Sequence, residues 1–223
     1  MQHPFLFSVC IYPFTFRPHQ DKITAEITTD EEEAILEKLP QTQAALKRRE
    51  LLEEALLELM RTKGYAQTTV TDICRTAGIP RRTFYHYFDC KESLLHAVVE
   101  NMLCECNLAV MLEFNQGLDV MKESLIRNFR YWQGEARRKL DLILDNGLSG
   151  EMMQCALRWL EAEHIGPALR PGMSQKELEI LTMVGTSGFF TLLMYWRRNE
   201  YQESPEKMAE FAIRVLSEPL FPH

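Results

Sequence analysis

A chain of 223 residues that is 46% hydrophobic and 26% charged is long enough to bury a core without disulfide bonds. Its net charge of -7 excludes a uniformly basic surface, and its ten glycines and ten prolines are few for a β-sandwich or barrel. The runs between them are rich in Leu, Glu, Ala, Met and Lys, which predicts an all-α fold.

Residues 1–40 are predicted to be a poorly ordered N-terminal extension. The apolar run from Phe5 to Phe16 follows no Lys or Arg, is too short to cross a bilayer and is interrupted by Pro13. An acidic stretch, DEEE at 30–33, leads into the remainder. We therefore expect a cytoplasmic protein with no membrane partner.

Residues 41–63 carry an amphipathic helical pattern. The apolar positions at helical spacing are Leu52, Ala55, Leu56, Leu59 and Met60. Gly64 follows where a helix C-terminus favours a left-handed residue.

A second and a third short helix follow within a few residues. Thr69 and Asp72 have the spacing of a capping box, with Asp in place of Glu, and Gly78 ends the helix that they begin. Another helix then begins at Pro80, because the fixed φ of proline suits a helix N-terminus. The two helices are too close in sequence to run antiparallel, so the pattern predicts a helix-turn-helix.

The third helix has two different sides. Its inward side is predicted to comprise Phe84, Tyr87 and Phe88, with Tyr87 at the edge. Its outward side is predicted to comprise Arg82, Tyr85 and His86, with Arg81 and Thr83 flanking the N-terminus. Exposed Arg, Tyr and His on the second helix of a helix-turn-helix can contact base edges and phosphates in the major groove. The alternative is a small helix pair that binds no nucleic acid.

The run LLEEALLELMRTKGYAQTTVTDICRTAGIPRRTFYHYFDCKESLL closely resembles the N-terminal DNA-binding domain of TetR-family transcriptional repressors. The resemblance covers about fifty residues and preserves the order of the parts: a Gly-Tyr turn, TTV-DI, AGI, TFYHYF and KE-LL. It implies a three-helix DNA-binding domain at 41–90 and a helical ligand-binding and dimerisation domain at 91–223.

The resemblance also implies roles for single residues. The implied DNA contacts are Thr69, Arg81, Arg82, Thr83, Tyr85, His86, Tyr87 and Lys91. Of these, Thr69 and Lys91 would meet phosphates and Tyr87 the DNA backbone. Phe84 and Phe88 match core positions and should not touch DNA.

Three positions depart from the family pattern. Pro80 stands where the family has a Ser or Thr cap, and Arg82 replaces a residue that is often small. Cys90 replaces the Asp, Ser or Asn that precedes Lys91, and because Cys is a poor cap we expect Asp89 to substitute for it.

Residues 91–221 are predicted to form five or six more helices, including a long one from Ser174 to about Asn199 and a last one from Ser204. Glycines within the long helix suggest that another helix packs closely there. By resemblance, the last two helices dimerise through Leu181, Val184, Gly188, Leu192, Tyr195, Met208, Phe211 and Val215. The alternative for about half of them is packing within the chain.

The resemblance places an effector site between the two ends of this helical domain. The large, soft or aromatic candidates are Met102, Cys106, Phe114, Phe129, Trp132, Met153, Trp159 and His164. Each of them, taken alone, is also a suitable core residue. We expect a small, mostly apolar effector.

Three functions remain open at this point. The first is a homodimeric repressor that binds double-stranded palindromic DNA and is released by the effector. The second is a coactivator of the same fold that acts through a protein partner. The third, an enzyme using Cys155 or Cys106 with His164, has no supporting motif, so we expect no catalytic residues, no metal and no cofactor.

Overall fold

A computed structural model describes residues 43–106, 118–162 and 174–217, and every element in these ranges is an α-helix. The helices are α1 (Gln43–Thr62), α2 (Val70–Ala77), α3 (Arg81–Tyr87), α4 (Lys91–Cys106), α5 (Leu118–Gln133), α6 (Arg137–Asp145), α7 (Ser149–Ala162), α8 (Gln175–Arg198) and α9 (Pro205–Ser217). The predicted all-α class is confirmed. The predicted N-terminal extension lies outside the described residues.

The chain divides into two compact units, Met1–Leu51 and Leu52–His223. In the first unit, the described residues are the opening turns of α1, where Lys47 and Glu50 form an exposed ion pair at 3.3 Å. The second unit contains the rest of α1 and all later helices. The boundary predicted at residue 90 stays a prediction.

Helix α1 buries the stripe that its periodicity predicts. Leu52 and Leu56 are fully buried, Met60 is 3% exposed, and Leu59 packs against the core at its edge. Gly64 has φ +85°, and its N–H donates to the Leu59 carbonyl, so the glycine ends the helix as expected.

The later helices form one continuous core with the first ones. Helix α4 packs along α7, and α9 packs along α5. Predicted caps are present: Ser174 and Glu177 form a capping box before α8, and the Ser204 hydroxyl accepts from the Lys207 N–H before α9.

Helix α6 is tied to the C-terminal end of α8 by charge. The Arg197 guanidinium contacts Asp141 at 3.1 Å and also bonds Asp145, and the Tyr201 hydroxyl donates to Asp141 at 3.0 Å. The two bonds to Asp141 are partly buried and the bond to Asp145 is exposed, and together they hold α6 against the end of α8.

By length and composition, one of the described helices, α8, would be able to cross a membrane. One side of this helix is packed into the core through Phe190, Leu193 and Trp196, which are at most 1% exposed. The core helix of a soluble protein meets the same criterion, so this feature by itself is weak evidence for a membrane span.

Candidate nucleic-acid interface

The turn between α2 and α3 sets the direction of α3. Gly78 ends α2 in the left-handed conformation, at φ +67°, where other residues are strained. Pro80 follows at the N-cap with φ -60° and ψ 142°, and its carbonyl accepts from the Thr83 and Phe84 N–H groups at 2.9 and 3.2 Å. Proline thus starts the helix through its backbone, without a side-chain cap.

The inward side of α3 is aromatic. Phe84 is fully buried and Phe88 is 2% exposed, with ring centroids 5.8 Å apart. Tyr87 is half-buried and packs at the edge of the core. The predicted inward side is therefore confirmed, and these rings hold α3 against the protein.

The outward side of α3 is polar and accessible. Arg81, Arg82 and His86 are exposed, and Tyr85 is 49% exposed. The Arg81 guanidinium donates to the Tyr85 hydroxyl at 3.2 Å, and the Tyr85 ring meets Phe84 edge-on at 5.5 Å. The Tyr85 ring is thus held by contacts within the protein, and Arg82, three residues earlier on the same side of the helix, is exposed.

The start of α2 is held by a carboxylate. Asp72 accepts from the Thr69 N–H and hydroxyl at 3.1 and 2.7 Å, and the Thr69 hydroxyl accepts from the Asp72 N–H, which confirms the capping box. Lys63 and Arg75 bond the two Asp72 oxygens at 2.6 and 2.9 Å. Hydrogen bonds from Lys63 and then Thr69 hold the pKa of Asp72 well below its usual range. Thr69 itself is exposed at a helix N-terminus, where a phosphate would be favoured.

Lys91 is engaged with the protein itself. Its ammonium donates to the Tyr65 and Thr68 carbonyls at 2.9 and 3.1 Å and lies 4.3 Å from the centre of the Tyr65 ring. This places a positive charge beside the turn that leads into α2. The predicted phosphate contact stays a prediction, and it would require the ammonium to share or exchange these bonds.

The N-terminus of α4 is capped through Ser93 rather than Asp89. The Ser93 hydroxyl accepts from the Cys90 N–H at 3.2 Å and donates to the Cys90 carbonyl at 2.8 Å. The expectation that Asp89 caps this helix is not met among the described contacts, in which the Ser93 hydroxyl bonds the Cys90 backbone instead.

A residue that the sequence did not single out, Asn146, joins α6 to α1 and the turn that follows α1. Asn146 Oδ1 accepts from the Tyr65 N–H at 2.6 Å, and Asn146 Nδ2 donates to the Leu142 and Met60 carbonyls at 2.8 and 3.4 Å. Gly64 lies beside it, since a Cβ there would be 3.6 Å from Asn146 Oδ1. The only sequence signal was the Asn-Gly pair at 146–147, which indicates a turn and not its partner.

Most predicted pocket residues fill the core. Met102, Phe129 and Trp132 are fully buried, Cys106 is 6% exposed, and Met153 and Trp159 pack at the core edge. Phe114 and His164 lie outside the described residues. The effector site stays a prediction.

The predicted dimer residues separate into two groups. Val184 is 63% and Tyr195 51% exposed, Gly188 is exposed, and Leu181, Leu192 and Phe211 are half-buried. Met208 is fully buried within its own chain as part of the common core, so its assignment to an interface is wrong. The Val215 side chain lies outside what the structure describes.

Cys155 has an environment unlike that of a nucleophile. It is 1% exposed, and burial, followed by the nearby Glu100 carboxylate, raises the pKa of its thiol to about 12. A thiol so protonated at neutral pH gives no support to the enzyme hypothesis.

Comparison with known families locates the match in this same region. Residues 52–98 match the family model described as bacterial regulatory proteins, tetR family. This range runs from the buried stripe of α1 into α4 and includes the whole outward side of α3.

Curated relatives are similar over short segments. The chain is 42% identical over 55 residues to the HTH-type dhaKLM operon transcriptional activator DhaS of Lactococcus lactis, covering 25% of this chain and 29% of that protein. It is 40% identical over 45 residues to the HTH-type regulator EthR of Mycolicibacterium smegmatis, covering 20% and 21%. The matched part is thus under a third of each relative's length.

Solved structures are similar over most of the chain. The multidrug binding protein EbrR, complexed with imidazole, gives a TM-score of 0.53 at 16% identity and covers 77% of this chain and 96% of its own. A TetR transcriptional regulator from Streptococcus agalactiae gives 0.51 at 14% identity, covering 82% and 98%. At these identities the likeness concerns the fold.

Proposed function

We propose that this chain is a TetR-family, cytoplasmic, DNA-binding transcriptional regulator, and the match of residues 52–98 to the tetR family model supports this proposal. More specifically, we propose a homodimeric repressor that dissociates from a palindromic operator when a small, mostly apolar effector binds. The observation that carries the proposal is α3, a short helix sealed by Phe84 on one side and presenting Arg82, Tyr85 and His86 on the other.

Recognition begins with the exposed side of α3. Arg82 reaches a guanine edge or a phosphate, and the Tyr85 ring, held by Arg81, offers a hydroxyl and an apolar edge to a thymine methyl. His86 and Thr83 flank them, and Tyr87 reaches the DNA backbone. Around this helix, Thr69 at the start of α2 and the charge on Lys91 support the phosphates on either side.

Dimerisation is supported by the exposed apolar side of α8. Large side chains there are open to solvent in the single chain: Ile180, Met183, Val184 and Tyr195 are 49 to 63% exposed. At Gly188 an added Cβ would meet nothing within 4 Å, which leaves room for a second helix to approach. A contiguous apolar surface on a soluble protein favours a protein partner, and a second copy would present two α3 helices to the two halves of a palindrome.

Release by the effector requires two states with different affinities for it. A ligand that binds both spacings of the α3 helices equally shifts nothing, so the site has to fit the non-binding state better. The bonds from Asn146 to Tyr65 and Met60 provide the contact through which movement of α6 reaches the DNA-reading helices.

The test starts from selection of duplexes from a random pool with the purified full chain, followed by fluorescence anisotropy against the selected site. We expect a palindromic consensus and an affinity that falls steeply with salt. Arg82→Ala with Tyr85→Ala should reduce discrimination between the selected and scrambled sites by about tenfold or more, since each good base contact contributes about 1–3 kcal/mol. Arg127→Ala, an exposed arginine on α5, is the control for loss of charge alone and should keep that discrimination.

The outcomes separate the proposal from its alternative. Retained selectivity in the double variant would contradict the role of α3. Absence of any selected sequence, together with a stable heteromeric partner in a pull-down, would favour the coactivator function.

The dimer is tested separately by sedimentation. Val184→Glu should shift the full chain to monomer, because a charge would be buried in the interface. The matched control is Val120→Glu on α5, another valine that is 40% exposed, and it should leave the mass unchanged.

A further inference from the structure

Three buried polar atoms in the helical domain lack a hydrogen-bond partner among the described residues. They are Asn128 Oδ1, Trp132 Nε1 and Thr186 Oγ1, in side chains that are 3%, 0% and 2% exposed. Leaving a buried polar atom unpaired is costly, and nearly all such atoms in native proteins bond a protein group or an ordered water, so three unpaired atoms call for an explanation.

These atoms belong to helix sides that meet. Asn128 and Trp132 are four residues apart on α5, and Thr186 and Phe190 are four apart on α8, so each pair shares one side of its helix. The Trp132 and Phe190 rings are 6.1 Å apart at an angle of 71°, which brings the two sides together. The unpartnered atoms therefore lie on the facing sides of α5 and α8, in the layer between these helices.

The chemistry of this layer is neutral. The Asn128 amide nitrogen already donates to the Ser124 carbonyl at 3.1 Å, which leaves its oxygen as an acceptor. The Trp132 indole offers one donor, and the Thr186 hydroxyl can donate or accept. In the described part of the chain, the buried polar residues of the helical domain are Ser124, Asn128 and Thr186, and none is charged. Burial of an unpaired ionised group here would be unfavourable.

The surroundings are aromatic. Phe129 lies 5.3 Å from both Phe189 and Trp196, measured between ring centroids, and these rings border the same layer. Because the rings are in contact, a ligand has to separate α5 from α8 to enter. Binding would thus favour a different arrangement of α8, which carries the exposed apolar side proposed for dimerisation.

We propose that Asn128, Trp132 and Thr186 form the polar end of the effector site. The ligand class is a neutral molecule with a carbonyl acceptor next to an N–H or O–H donor, as in a carboxamide, on a ring-containing apolar body. The carbonyl accepts from the indole or the hydroxyl, and the ligand's donor meets Asn128 Oδ1. This inference rests on the proposed function and narrows its effector from mostly apolar to neutral and hydrogen-bonding.

The experiment uses the full chain and isothermal titration with three probes: N-ethylbenzamide, butylbenzene, which has the same skeleton without the amide, and benzoate, which is charged. We expect the amide to bind about tenfold or more tightly than butylbenzene, and benzoate to bind more weakly than either. Trp132→Phe and Thr186→Val should each lower the affinity for the amide about five- to tenfold and leave that for butylbenzene unchanged.

A second measurement needs no ligand. Thr186→Val removes a hydroxyl that has no partner, so its urea midpoint should stay the same or rise. Its control is Thr182→Val, one turn earlier on α8, where the hydroxyl donates to the Leu178 carbonyl at 2.9 Å; this change should lower the midpoint.

Two results would overturn the inference. One is equal affinity for the amide and butylbenzene, which includes no binding of either. The other is a Thr186→Val midpoint as low as that of Thr182→Val, which would mean that the hydroxyl is satisfied by a fixed internal water only. Selection of DNA with the same preparation distinguishes failure of the ligand inference from failure of the proposed function. If a palindrome is still recognised, only the ligand inference fails. If no sequence is recognised, the proposed function fails as well.

Discussion

Substitution of Asn146 by alanine removes a side chain that bonds both α6 and the turn after α1. In the folded protein it accepts from the Tyr65 N–H at 2.6 Å and donates to the Met60 and Leu142 carbonyls. Tyr65 is 9% exposed, so its N–H would be left without water, at a cost of about 1–3 kcal/mol. The two donated bonds add about 0.5–1.5 kcal/mol each, and since one is long, at 3.4 Å, we expect a total of about 2–4 kcal/mol.

A matched control is available in α8. Asn199 is also the residue after its helix, and its side chain donates to the Tyr195 carbonyl four residues back at 2.7 Å, but it is exposed. Asn199→Ala should therefore cost about 0.5–1 kcal/mol. The difference between the two variants isolates the bonds to Tyr65 and Met60.

The assay is urea denaturation of the full chain followed by far-UV circular dichroism, with hydrogen exchange of residues 60–69 as the local measurement. Exchange at the Tyr65 amide should accelerate by roughly 10- to 100-fold in Asn146→Ala, since each 1.4 kcal/mol of lost protection is about tenfold. If both alanine variants lose equal stability and the Tyr65 amide exchanges at its original rate, the reasoning is refuted.

Further expected outcomes concern the helix-turn-helix and one histidine. Phe84→Ala should destabilise the chain by about 3–5 kcal/mol in the same urea assay, because a fully buried ring is removed; a loss below about 1 kcal/mol would contradict its core role. Gly78→Ala should cost about 1 kcal/mol, because φ is +67° there although space is open, and an unchanged midpoint would argue against that backbone conformation. Burial and then the Arg158 guanidinium lower the pKa of His96 below 6.5, so the unfolded chain binds a proton first and stability falls as the pH falls through that value. His96→Asn should flatten this loss between about pH 7 and 5 in thermal melts, and an identical pH profile would exclude His96 as its source.

The helix-turn-helix was predictable because its signals are local. The Thr69–Asp72 capping box, the helix end at Gly78 and the spacing of Phe84 and Phe88 each depend on a few neighbouring residues, and all three features are present as predicted. Local sequence rules are sufficient to predict a structure whose conformation depends on contacts within one helical turn.

Long-range features were not predictable from the same rules. Asn146 and Tyr65 are 81 positions apart, and a turn signal does not indicate which backbone N–H its side chain will meet. Met208 has the same apolar character as Val184, yet one is fully buried and the other 63% exposed, because periodicity indicates an apolar side without saying which chain covers it. The pairing of Lys91 with two carbonyls of a distant turn belongs to the same class.

The position of Lys91 has a practical consequence for anyone who wishes to study the helix-turn-helix alone. An excised peptide ending at residue 90 would lack the ammonium that holds the Tyr65 and Thr68 carbonyls, and also Leu94 and Leu95, which are at most 2% exposed in the common core. Extending such a peptide through α4 would restore these contacts, but it would expose the apolar side of α4 that packs along α7 in the full chain. A shortened form of this protein therefore requires a redesigned α4 surface rather than a simple truncation.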